Sequence, residues 1–202
     1  LTATGTKDAT TFLRGDNTFA EAGGGSLIKL ATQSLSGDSA VSFDGYFSST
    51  YKDYIVRFQN FKPSTNNSNF YFRARQSNAD VTSSSYGTAN LRVFRDDNTS
   101  DGSSVGGNNN TFADLLYNIG VSNGSEGGLS GDLIIHNPLE TSNYKYITAN
   151  YIFTQGDDTS KTISGISFVR FTANTNALSG FTLYFSVGNI SSGTIQLYGV
   201  ES

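Results

Sequence analysis

The chain has 202 residues, 36% of them hydrophobic, and a net charge of −4 with no basic run, which excludes a general nucleic-acid binder. It has no Cys, so disulfides, thiolate metal sites and cysteine catalysis are excluded, and no apolar stretch approaches the ~20 residues of a membrane span. It also has no Met, which predicts a fragment or processed product with more chain before Leu1.

Residues 1–25 differ from everything after them. They carry two isolated apolar pairs, Phe12–Leu13 and Phe19–Ala20, show no sustained period, and end in Gly23–Gly25. The shift predicts a short extended N-terminal stalk, 1–25, ahead of one head domain, 26–202.

Helix patterns are poor in the remainder and strand patterns are frequent. In chain order the strand candidates begin with Leu27–Leu35 and a shorter one near Ala40–Gly45. Asp53–Phe61 follows, with Tyr54, Val56 and Phe58 on one face and Ile55, Arg57 and Gln59 on the other. Asn69–Arg75 alternates Phe70, Phe72 and Ala74 against Tyr71, Arg73 and Arg75. Period-2 alternation predicts one buried face and one facing water or a partner. Asn90–Asp96, Gly131–Asn137, Asn143–Thr154 and Lys161–Ala173 are further candidates, and Ala113–Val121 is open between a strand and one helical turn. Phe181–Val187 places Phe181, Leu183, Phe185 and Val187 on one face, and Thr194–Val200 closes the series. Gly165 and Gly188 are expected at bulges or strand corners.

Between these runs lie loops rich in Ser, Thr, Asn, Asp and Gly: Ser77–Thr88, Asp96–Thr111 and Ser122–Gly131. Loops of this length in a compact domain are functional or disordered. About nine to eleven strands at this spacing predict an all-β, antiparallel β-sandwich, with a barrel as the alternative.

Catalytic patterns are weak. His136 is the single histidine and no nucleophile motif stands near it, so it reads as structural or surface and a His-based zinc site is disfavoured. Paired carboxylates, Asp96–Asp97 and Asp157–Asp158, have the composition for glycan hydrolysis, but both sit in turn-rich segments where solvated turn residues are the common case. Asp97–Gly102 imitates half of a calcium loop and lacks the acid at position 12, where Asn108 stands. No enzyme activity, metal or cofactor is expected.

The polar-aromatic residues are the better candidates. Tyr71, Arg73 and Arg75 share one strand face, Arg92, Phe94 and Tyr184 fall on comparable faces, and Tyr46, Tyr51 and Tyr86 stand beside Asn, Asp and Ser in loops. Sugars offer C–H faces for stacking and hydroxyls for Arg, Asn and Asp, and Tyr also suits adaptable protein contacts. The expected glycan-binding set is Tyr46, Tyr51, Tyr71, Arg73, Arg75 and Tyr86. The competing reading packs these tyrosines at an interface or caps the sandwich with them.

One motif is more specific. "GTKDATTFLRGDNTFAE", Gly5–Glu21, resembles the recurring linker of bacteriophage tail-fibre and tail-tip proteins, which precedes a C-terminal head domain. Gly5, Thr6, Asp8, Ala9, Thr10, Phe12, Leu13, Arg14, Gly15, Asp16 and Thr18 fit that pattern, and Phe19 stands where the family often has Trp. Within it "RGD" is accounted for by the linker, Gly15–Asp16 reading as a turn rather than an integrin ligand. Leu30–Thr65 and Ser191–Ser202 resemble more loosely the β-sandwich heads of such fibres. The resemblance implies a jelly-roll-like head, a homotrimer, a place in the virion tail fibre with other tail proteins on the N-terminal side, and attachment to a host surface glycan or protein. Isolated apolar pairs fit the trimer: Phe12, Leu13 and Phe19 find no cover in so short a segment except against symmetry mates. Two other roles are compatible with the same design. One is a structural virion component (capsid fibre, decoration or baseplate protein) without a receptor role; the other is a glycan depolymerase.

Overall fold

The computed structural model describes residues 4–6, 11–21, 27–95 and 100–201, and their regular elements are all strands. In the N-terminal segment β1 (Thr11–Leu13) and β2 (Phe19–Glu21) pair antiparallel, Leu13 opposite Phe19. The turn between them is made by "RGDNT". The Arg14 N–H donates to Thr18 O at 2.8 Å and the Asn17 N–H to Arg14 O at 3.0 Å. Asn17 sits at φ 64°, a left-handed conformation that Asn tolerates. Asp16 Oδ1 accepts from the Thr18 N–H at 3.1 Å and from Thr18 Oγ1 at 2.6 Å. The Gly15–Asp16 turn is therefore present, and the extended stretch doubles back as a hairpin. Leu13 is exposed and Phe19 half-buried. The Phe12 side chain and the Gly23–Gly25 boundary lie outside the described residues.

The head follows as β3 (Leu27–Leu35), β4 (Val41–Asp44), β5 (Tyr51–Pro63), β6 (Phe70–Gln76), β7 (Ala79–Asp80), β8 (Tyr86–Arg95) and β9 (Ser100–Asn110). It continues with β10 (Ala113–Asp114), β11 (Leu129–His136), β12 (Lys145–Thr154), β13 (Thr162–Phe171), β14 (Gly180–Phe185) and β15 (Ile190–Glu201). The large sheet has the order β3-β15-β5-β11-β12-β13-β8-β9; the small sheet runs β10-β6-β14-β4, with β7 also on β6. Pairing between neighbours is antiparallel throughout. The two sheets form the expected antiparallel β-sandwich, and the chain crosses between them repeatedly.

Alternation decides which side chains meet in the middle. Tyr54, Val56, Phe58 and Phe61 of β5 face Phe70 and Phe72 of β6 and Phe181, Leu183 and Phe185 of β14, all at most 3% exposed. In a chain without Trp, phenylalanine pairs supply the bulk: Phe58–Phe70, Phe61–Phe185 and Phe43–Phe181 have ring centroids 5.4, 5.1 and 5.2 Å apart. Burying each ring contributes roughly 1.5–3 kcal/mol.

Two local expectations change and one left open is decided. The loop expected over Asp96–Thr111 is in large part a strand: β9 pairs with β8 from Arg95–Ser100 to Tyr86–Asn110, closing one side of the large sheet. Ala113–Val121 gives the two-residue β10 and then a turn, not a helix. Gly165 makes no bulge, since β13 keeps register with both neighbours there. Its bare Cα instead leaves room for Tyr151, whose hydroxyl would lie 2.6 Å from a Cβ at that position. Gly188, at φ 73°, does turn a corner between β14 and β15.

Register also gives the sandwich two ends. β3 starts at Leu27, which pairs with Val200; Glu201 pairs with Tyr51, His136 with Asp53 and Tyr146. This near end adjoins the N-terminal segment in the chain. The far end carries the connections 64–69, 122–128, 155–161 and 186–189. These interlock: Asn66 Nδ2 donates to Gly156 O at 2.5 Å, the Asn123 N–H to Asn66 Oδ1 at 3.1 Å, and the Gly156 N–H to Gly120 O at 2.8 Å. A Cβ on Gly120 would fall 2.1 Å from the Asn67 carbonyl carbon.

Candidate functional site

Because Phe70, Phe72 and Ala74 point inward, β6 presents Tyr71, Arg73 and Arg75 on the outer face of the small sheet. β14 adds Thr182 and Tyr184, paired across from Arg73 and Tyr71. Phe112, just before β10, stacks on Tyr71 with centroids 4.0 Å apart, and Tyr184 meets Tyr71 edge-on at 5.5 Å. The Arg73 guanidinium lies 4.9 Å from the centre of the Tyr184 ring and donates from Nε to Thr111 O at 3.2 Å. These three rings are half-buried, with an edge or face open to solvent.

Charge on this face is balanced from within. Arg75 donates to Asp44 at 2.8 Å and to Asp80 at 2.6 Å, and also to Asn78 O. Thr182 Oγ1 donates to Asp80 at 2.6 Å, and Asp80 stands 3.9 Å from Arg73. Arg75 is thus a strut that fixes two carboxylates, whereas Arg73 keeps its guanidinium toward the rings. Burial pushes the Tyr184 phenol up to about 12, and burial followed by the charge of Asp114 raises Tyr71, so both rings stay neutral at ordinary pH. The Tyr184 hydroxyl is buried and has no hydrogen-bond partner among the described residues. Neutral rings beside a cation and fixed carboxylates can stack on a sugar face and bond its hydroxyls.

Three of the six expected residues, Tyr71, Arg73 and Arg75, therefore come together. Tyr46 and Tyr51 lie at the near end instead. Tyr51 lines a groove of about 420 Å³ with Lys52, Asn137, Glu140 and Thr141, while Tyr46 is exposed and packs against Phe43. Tyr86 is fully buried: its hydroxyl accepts from the Ala74 N–H at 3.0 Å and donates to Val81 O at 2.8 Å. It holds the small sheet to β8 and offers no surface to a ligand. Phe112, Asp44 and Asp80 were missed. Phe112 stands in a polar loop without a period, and acids on different strands carry no spacing signal.

His136 sits on the outer face of the large sheet with Nε2 3.3 Å from Thr148 Oγ1. Asp158 is occupied in a turn, accepting from Ser160 Oγ at 2.6 Å and Lys161 at 2.9 Å, and the Ser160 hydrogen bond lowers its pKa. Asp96 and Asp97 lie outside the described residues. Among the described residues no group of three or more His, Asp or Glu is placed to hold a metal ion.

No protein-family model matches the chain, and no curated protein matches it either.

Proposed function

We propose that the chain is the C-terminal part of a phage tail fibre or receptor-binding protein, a homotrimer in the virion that attaches to a host-surface glycan. The single observation that carries the binding surface is the group Tyr71, Phe112, Tyr184 and Arg73 on the outer face of the small sheet. The linker resemblance of Gly5–Glu21 supports the setting. Each head would bind weakly, and three heads on one fibre raise the apparent affinity by avidity.

The test is binding of the full chain to susceptible cells and to their isolated surface polysaccharide. Arg73→Gln and Tyr71→Ala should each weaken binding about tenfold or more, a loss of about 1.4 kcal/mol. Absence of binding by the unaltered chain, or full binding by both variants, overturns the proposal. If the chain is present in intact virions yet binds no cell, the structural-component reading replaces it. New reducing ends after incubation with the polysaccharide would instead favour a depolymerase.

A further inference from the structure

The outer face of the large sheet is apolar where β8, β13 and β12 run side by side. Leu91, Val93, Tyr146, Ile152, Ile166 and Phe168 each expose between 40% and 57% of their surface. They are neighbours across the strands: Leu91 is opposite Ile166, Ala89 opposite Phe168, and Ser164 lies between Val93 and Ile152. Together they leave on the order of 500 Å² of apolar surface bare, near the top of what monomeric proteins show. Beside Leu91, Val93 and Ala89, β9 presents the small residues Gly102, Ser104 and Gly106 to the same side, with Asn108 following near Phe168. The result is a groove of about 620 Å³ walled by Leu91, Val93 and Ile166, which continues past Phe168 into one of about 480 Å³. β9 is also the last strand of the sheet among the described residues, and it contains no Lys, Arg or Pro to discourage pairing.

We propose that this face is where copies of this chain meet, the Leu91–Ile166–Phe168 ridge of one copy seated in the β9 groove of the next. A ridge of large side chains and a groove of small ones lie side by side on one surface, so the surface complements a shifted copy of itself. Repeated head-to-tail, such a contact closes a ring when the rotation between copies closes, and the fibre reading supplies the three-fold axis. About 500 Å² of apolar surface, interrupted by Thr148 and Asn150 on β12 and Ser164 on β13 and bordered by Arg95 and Arg170, approaches the roughly 800 Å² per partner of a standard interface. The centre carries no charge, as interface cores require. An anionic membrane is a poor occupant for a chain of net charge −4. The number of copies, three, rests on the fibre reading; the location of the contact does not.

Light scattering on the full chain tests it. The unaltered chain is expected at three times its 21.6 kDa mass, and the Leu91→Asp/Ile166→Asp variant at one chain mass with its β-sheet circular dichroism intact. Both positions are exposed, so neither change disturbs the core. As a second readout, Leu91→Cys in a chain with no other Cys should give inter-chain products with a short bismaleimide. A single-chain mass for the unaltered protein, an unchanged oligomer in the double variant, or no cross-linked product from Leu91→Cys each overturns the proposal. Arg73→Gln separates the two ideas: it should keep the oligomer mass while losing binding, and its failure to lose binding speaks against the attachment surface alone.

Discussion

Asp114 organises a turn that its neighbours would not make by themselves. Its carboxylate accepts from the N–H groups of Leu116, Tyr117 and Asn118 at 3.2, 2.9 and 3.0 Å and from Asn69 Nδ2 at 3.0 Å. Those bonds hold Tyr117 and Asn118 at positive φ, 43° and 62°. Burial raises its pKa, and the same hydrogen bonds pull the other way. Asp114→Ala should cost about 2 kcal/mol in urea unfolding, because buried amide donors lose their acceptor. Tyr86→Phe is a second case. It strands the Ala74 N–H and Val81 O and should cost about 1–3 kcal/mol, with no change in binding by the outer face. At this scale the sequence was least legible. Tyr71, Arg73 and Arg75 were placed together by alternation inside one strand, and Tyr86 was misjudged because a residue at the head of a strand has no preceding alternation to reveal its face.

Among the elements, the strands with large side chains were readable because alternation writes their faces into the sequence. Leu27–Leu35 is a strand over the whole expected span, and β5, β6, β12 and β13 differ from expectation by at most two residues at either end. β9 was not readable. Gly, Ser and Asn have no apolar face to alternate, and it forms because the backbone ladder of β8 offers it partners. Gly165 in β13 has the opposite lesson: an apparent break inside a strand is a close contact. Gly165→Val would push a side chain into the Tyr151 hydroxyl and to about the 2.7 Å separation from Leu91 O already set for its Cβ. We expect a loss of about 1–3 kcal/mol, seen as a lower denaturant midpoint with an unchanged slope.

For the molecule as a whole, buried phenols set an alkaline limit. Burial raises the pKa of Tyr151 and Tyr184 to about 12 and that of Tyr86 further. The unfolded chain gives up these protons near 10, while the folded chain keeps them. Their stabilising effect is complete below pH 10 and is lost as pH rises toward 12. Melting temperature should hold to about pH 9.5 and then fall steeply, in step with tyrosinate absorbance; a flat profile to pH 11.5 counts against it. The sandwich class was legible at this scale from strand spacing, but the pairing of the sheets and the two ends were not, because register is set between strands distant in sequence.

The connections 64–69, 122–128 and 155–161 are tied to one another through Asn66, Asn123 and Gly156, and the Ser64 N–H adds 186–189 through Asn189 O, so a change of length in one pulls on its neighbours. Thr65, Ser125 and Val187 are exposed there, so their side chains can be exchanged without touching that main-chain network, and the tip of this head is free to vary in chemistry while its outline stays fixed.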